Sequence, residues 1–167
     1  MIQVYCGNGK GKTTAAVGGA IRAAGSGMRV AFAQFLKNGD SSELQVLQSL
    51  PDVTCILSPV AFPLLQMPDE ALQARLRAAY DEMLRQVETS DAAFCVLDEV
   101  LDAWQYHLLS RPRLQAFLET QREARELVLT GRQLPPSLAG LADYISEVQA
   151  VRHPFTKGIP ARKGVEY

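Results

Sequence analysis

A chain of 167 residues, 47% apolar and 21% charged, has enough apolar side chains for one globular domain with a full core, and its net charge of −1 leaves no footprint for nucleic acid. No apolar run reaches bilayer-spanning length and the first residues open a strand pattern rather than an export signal, so a cytoplasmic protein without a membrane anchor is expected. The charge is unevenly spread. Residues 1–39 carry Lys10, Lys12, Arg22, Arg29 and Lys37 with no acid, residues 148–167 carry Arg152, Lys157, Arg162 and Lys163 against Glu166 alone, and the stretch between holds the other 17 acids against 8 arginines. If the two basic ends meet, they form a positive pocket suited to an anion such as a triphosphate.

Along the chain, the apolar run MIQVYC predicts a buried strand ending at glycines, and residues 12–24, rich in small side chains, predict a helix able to lie close on a sheet. Further strands are predicted at 29–35 (RVAFAQF) and 53–57 (VTCIL). Residues 69–88 form a helix pattern, with Leu72, Leu76, Tyr80, Met83 and Val87 three or four apart. AFCVLDE and ELVLT read as buried strands, and YISEVQAV, which alternates, as an edge strand. Cys6, Cys55 and Cys95 fall in apolar strand-like runs without CxxC spacing and are expected to be reduced and buried. His107 and His153 have no ligand-like neighbours and are expected to be hydrogen-bonded structural residues.

Chemistry concentrates at VYCGNGKGKTTAA. A phosphate loop has the pattern GxxxxGK[ST] between a strand and a helix, so that backbone N–H groups and the helix N-terminus face the phosphates. Here the first glycine is one residue late, since Cys6 stands where it belongs and Gly7 follows. Gly7, Asn8, Gly9, Lys10, Gly11, Lys12, Thr13 and Thr14 make up the candidate cradle; Lys10 and Lys12 are cations for phosphate oxygens and Thr13 is a ligand for magnesium or manganese. Asp98 and Glu99 end an apolar strand expected to neighbour the loop's strand. One of them can hold the metal through water while the other serves a second role, or both can simply favour a helix N-terminus. In LTGR, Thr130 and Arg132 face one rim, with the arginine either a phosphate fork or part of an ordinary turn. Strands alternating with helices around such a loop predict an α/β fold: a three-layer sandwich of the P-loop NTPase type, its sheet mostly parallel with an antiparallel edge strand. The tail VRHPFTKGIPARKGVEY mixes cations with Phe155, Ile159, Val165 and Tyr167 and is expected to lie back, ordered, near the site.

The segments GNGKGKTTAA, IRAAGSGMRVAFAQFLKNG, VLDE, LTGR and VRHPFTKGIPARKGVEY, in that order, resemble the corrinoid adenosyltransferases of the CobA/CobO/BtuR type, whose phosphate loop also begins one residue late. The resemblance implies a single domain over residues 1–167 that uses ATP as an alkyl donor: cobalt(I) of a corrinoid attacks the ribose 5′ carbon and triphosphate leaves. Lys12, Asp98 and Glu99 would be catalytic, and Thr13 and Asp98 would hold the metal. Phe62 and Leu64, in the place of the family's aromatic pair, would line the corrin. It also implies a flavoprotein reductant and a homodimer. The residues alone leave two other readings open: a nucleotide hydrolase or kinase acting at the γ-phosphate, and a nucleotide- or corrinoid-binding module without turnover.

Overall fold

Six short strands alternate with helices: β1 (Ile2–Cys6), β2 (Val30–Gln34), β3 (Val53–Leu57), β4 (Phe94–Asp98), β5 (Glu126–Thr130) and β6 (Tyr144–Glu147). The computed structural model describes residues 1–63 and 67–165. Within them the strands form one sheet in the order β3-β2-β4-β5-β1-β6, with every pairing parallel. The helices are α1 (Lys12–Gly25), α2 (Ser42–Ser49), α3 (Glu70–Thr89), α4 (Val100–Gln105), α5 (Arg111–Gln121) and α6 (Pro136–Ala139).

The period of two in β1 sends Ile2, Val4 and Cys6 to one face of the sheet and Tyr5 to the other, so each face has its own core. All five residues of β2 and of β4 are buried, as central parallel strands require. One face is covered by α1, which buries Ala16, Ala20 and Ala23, and by α2 through Leu44 and Leu47. The other carries α3, α4, α5 and α6. The α3 stripe runs Leu76, Tyr80, Met83, Leu84 and Val87, and the helix starts where the Asp69 carboxylate accepts the Leu72 N–H at 2.8 Å. These layers are the expected sandwich.

The edge strand differs from expectation: β6 runs parallel to β1, with Gln3 opposite Tyr144 and Cys6 opposite Glu147. After β5 the chain crosses one face of the sheet, burying Leu138 of α6 with Leu134 and Leu141 against the core. It therefore re-enters at the start of β1, where the Asp143 N–H donates to the Ile2 carbonyl and the Asp143 carboxylate accepts the Ile2 N–H at 2.7 Å. A crossover of this kind makes a parallel neighbour. The position at the edge agrees with expectation, and all four residues of β6 are exposed. Cys6 and Cys95 are buried free thiols as expected, but Cys55 is only half-buried because β3 is the opposite edge.

One contact links the core to the site. Tyr80 of α3 is fully buried, and its hydroxyl accepts the N–H of Leu36 at 3.0 Å, where Leu36 takes a left-handed φ of 54° just after β2. Burial pushes this phenol from 10.0 up to about 12, against a smaller lowering by the Leu36 bond. We expect Tyr80→Phe to lose about 1–3 kcal/mol of stability at neutral pH by orphaning a buried N–H. Because the folded pKa is raised, the native protein keeps Tyr80's contribution below pH 10 and loses it as the pH climbs towards 12. Urea unfolding at pH 7 and pH 11 checks both parts: the gap between native and variant narrows at the higher pH, and a constant gap refutes the assignment.

Candidate functional site

The chain leaves β1 through Gly7, whose φ of +110° belongs to glycine and where a Cβ would run into the Val148 carbonyl. A Cβ on Gly9 would lie 2.8 Å from both the Val148 oxygen and the Gln149 carbonyl carbon. These close approaches let the loop lie between two other segments. Gly7 N–H donates to the Arg132 carbonyl at 2.9 Å, Gly9 N–H to the Val148 carbonyl at 2.7 Å, and Asn8 Oδ1 accepts the Ala150 N–H at 2.9 Å. Lys12 Nζ folds back to the Gly9 carbonyl at 2.8 Å. The first turn of α1 has no acid of its own, and the carboxylate that reaches it is that of Asp98, through Thr13.

Asp98, wholly buried at the end of β4, is the hub. Its Oδ1 accepts Thr13 Oγ1 at 2.9 Å and Thr130 Oγ1 at 2.7 Å; its Oδ2 accepts Gln34 Nε2 at 3.2 Å and Lys37 Nζ at 3.1 Å. Strand β4 is not β1's neighbour, contrary to expectation, since β5 lies between them. The Thr130 hydroxyl of β5 fills that gap, and it also accepts the Glu99 N–H at 2.8 Å. Burial pulls the Lys37 ammonium down, but the charge and hydrogen bond of Asp98, with Glu43 and Glu99 behind them, hold it above its ordinary value.

Glu99 takes a left-handed φ of 61°, which turns it away from the strand path. Burial pushes its carboxyl up to about 8, helped by a hydrogen bond with Asp102 and by the charges of Asp98 and Asp102, with Lys37 opposing. Asp102 itself accepts the Arg132 N–H at 2.9 Å. Gln34 Oε1 is a buried acceptor without a partner among the described residues.

All of this resembles the phosphate and metal corner of a nucleotide-binding protein, and the family follows from the sequence. Residues 1–167 match the family described as ATP:corrinoid adenosyltransferase BtuR/CobO/CobP. The chain belongs to that family. Corrinoid adenosyltransferases of Pseudomonas aeruginosa and Escherichia coli K12 are 31% and 30% identical to it over its whole length, which spans 83% and 85% of theirs. The corrinoid adenosyltransferase CobA of Salmonella typhimurium is 31% identical, again over the whole chain and 85% of its own length.

In this corrinoid adenosyltransferase fold, Gly7, Asn8, Gly9, Lys10, Gly11, Lys12, Thr13 and Thr14 follow one another at the carboxyl end of β1, with Thr14 exposed one residue beyond Thr13. Thr130 and Arg132 do not share a rim: Thr130 is buried under Asp98, whereas the Arg132 side chain is exposed and its main chain ties the loop to Asp102. Phe62 is half-buried against the larger core, and Asn38 holds it at two points, accepting its N–H at 2.8 Å and donating to its carbonyl at 3.3 Å. Leu64 lies outside the described residues. His107 bonds Arg111 at 3.1 Å, as a structural histidine would, while His153 lines a cavity of about 420 Å³ with Lys10, Arg152 and Arg162. The basic ends of the chain therefore do meet. A larger cavity, about 690 Å³, lies between α1 and the sheet at Tyr5, Gly18, Arg22 and Glu126, and none of the Asp98 cluster lines it.

Sequence reasoning missed Gln34, Lys37, Asn38 and Asp102. The first two close β2 and its following turn at the carboxyl edge of a parallel sheet, where ligands gather, and that position was the available signal.

Proposed function

We propose that this chain transfers the 5′-deoxyadenosyl group of ATP to cobalt(I) of a corrinoid and releases triphosphate, in the making or salvage of adenosylcobalamin. The observation that carries the reading is a family match over the whole chain in a protein whose Thr13, Thr130 and Asp98 meet beneath a glycine loop. The corrinoid cobalt supplies an electron pair to the 5′ carbon, a cobalt–carbon bond forms, and the carbon–oxygen bond breaks with its electrons going to triphosphate. No phosphoryl group moves. The chain's task is to absorb charge on the leaving group, and we assign it to Lys10, Lys12, the loop amides other than those of Gly7 and Gly9, which bond the Arg132 and Val148 carbonyls, the α1 N-terminus and Arg132.

The residues fit a magnesium or manganese ion. Thr13 Oγ1 and Asp98 Oδ1 are hard oxygens 2.9 Å apart, and Gln34, which donates through Nε2 to Asp98 Oδ2 at 3.2 Å, keeps its Oε1 buried without a partner among the described residues. No cluster of three or more His, Cys, Asp or Glu suited to a metal occurs among the described residues, so the ion would take its other ligands from phosphate and water. When bound, it adds electrostatic stabilisation of the departing triphosphate. Glu99, paired with Asp102, stays outside this ligand pair. Chemically reduced corrinoid with ATP should yield inorganic triphosphate; ADP with phosphate would indicate a hydrolase or kinase instead, and binding without either product a module without turnover.

On the same resemblance we propose a cytoplasmic homodimer that takes its electron from a flavoprotein, with Phe62 taking part in that step. Cobalt(II) gains an electron more readily once its lower axial ligand is gone, and for a one-electron couple each ~59 mV is tenfold in equilibrium. An apolar side chain under the corrin displaces that ligand and keeps water from its place. The double clamp from Asn38 would hold Phe62 there. Phe62→Ala is expected to keep adenosylation of pre-reduced cobalt(I) corrinoid and to lose most activity when it starts from cobalt(II) with a flavoprotein. Equal losses in the two assays would refute this role.

A further inference from the structure

Asp102 stands third in α4 and is 6% exposed; an acid at that position ordinarily turns back to a free N–H at the start of its own helix. Here the N–H of Glu99, the residue before the helix, is already taken by Thr130 Oγ1 at 2.8 Å. Asp102 Oδ2 instead crosses to the turn after β5 and accepts the Arg132 N–H at 2.9 Å. The Arg132 carbonyl in turn accepts the N–H of Gly7, the first residue of the loop, at 2.9 Å. One buried carboxylate thus reaches the phosphate loop through a single intervening residue. The seat is close: a Cβ on Gly131 would stand 2.5 Å from Leu101 Cβ and 3.0 Å from Asp102 Oδ2, so the turn after β5 lies directly on the first turn of α4.

We propose that Asp102 is a positioning residue for ATP: by holding the Arg132 main chain it sets where the glycine loop and the Arg132 guanidinium meet the phosphates, without touching them itself. The assignment rests on the adenosyltransferase reading for its ligand, but the binding arm of its test does not need turnover. Asp102→Ala removes the acceptor. Asp102→Asn can keep its oxygen on the Arg132 N–H and turn its NH₂ group to Glu99, a partner Asp102 already has, and so serves as the rescue. ATP with magnesium is titrated calorimetrically into the full chain and into each variant, and the KM values for ATP and for the corrinoid are measured with chemically reduced corrinoid.

Asp102→Ala should bind ATP about tenfold more weakly, the size of one hydrogen bond to a charged group, with a matching rise in the KM for ATP and a change of less than about threefold in the KM for the corrinoid. Asp102→Asn should stay within about threefold of the native chain in all three measurements. Thermal unfolding is followed on every variant; if Asp102→Ala does not fold, Asp102→Ser, whose hydroxyl is one bond too short for the Arg132 N–H, carries the same expectation. Native ATP affinity in the folded alanine or serine variant overturns the assignment. A loss in Asp102→Asn as large as in Asp102→Ala would trace the effect to the charge and overturn it too, and equal rises in the two KM values would reduce Asp102 to support of the fold. If the chain proved to make ADP instead of triphosphate, the function would fall and the ATP-binding result would stand.

Discussion

Asp98→Asn should lower turnover about a hundredfold or more and move its magnesium dependence to higher concentration, with the fold retained. The argument follows from the four donors on this carboxylate. Gln34 and Lys37 can only donate to Oδ2, whereas Thr13 and Thr130 reach Oδ1 through hydroxyls that can turn round. An asparagine therefore keeps its oxygen towards Gln34 and Lys37 and puts its NH₂ group against the two threonines. The hub survives, at a cost of about 1–3 kcal/mol for a weaker partner to the Lys37 ammonium. Thr13, however, now accepts a hydrogen bond where it had donated one, which leaves a single lone pair for the proposed metal, and the carboxylate charge beside it is gone. Turnover measured against magnesium concentration reads this directly. A variant with the native metal titration would remove Asp98 and Thr13 from the metal site.

The parts of the site that were legible in the sequence are those whose chemistry depends on side-chain type in a fixed local order. Glycines and lysines between an apolar strand and a small-residue helix identify the loop, and paired acids at the end of an apolar run identify Asp98. What was not legible depends on groups that every residue carries or on neighbours distant in the chain. The loop's seat between the segments that follow β5 and β6 is made largely by main-chain bonds from Gly7 to Arg132 and from Gly9 to Val148, and no residue type announces them. The direction of β6 was misjudged because alternation reports which faces a strand shows and says nothing of how it was reached. The place of β5 between β1 and β4 was missed for the same reason, and with it the job of Thr130, a hydroxyl that bridges to Asp98. The left-handed turn at Glu99 is a backbone state for which a glutamate gives no signal.

Lys12→Ala should abolish ATP use, by about three orders of magnitude in kcat/KM, while leaving a folded protein. Two effects of the substitution differ in size, and the difference separates them. Lys12 is half-buried and makes one hydrogen bond within the loop, to the carbonyl of the buried Gly9 at 2.8 Å; leaving that acceptor without its donor costs about 1–3 kcal/mol of stability, less than the loss expected in the reaction. In the proposed reaction the same ammonium would face the charge that gathers on triphosphate as the carbon–oxygen bond breaks, an interaction that grows towards the transition state and so acts on rate beyond binding. The loss should therefore show in kcat as well as in the KM for ATP. Lys12→Arg should not restore it, because a planar fork on a different stem does not occupy the place of a compact ammionium-type point charge above the loop. Thermal unfolding and steady-state kinetics on the two variants decide the matter: near-native turnover by folded Lys12→Ala, or full rescue by arginine, would mean that the glycine loop does not hold the leaving group.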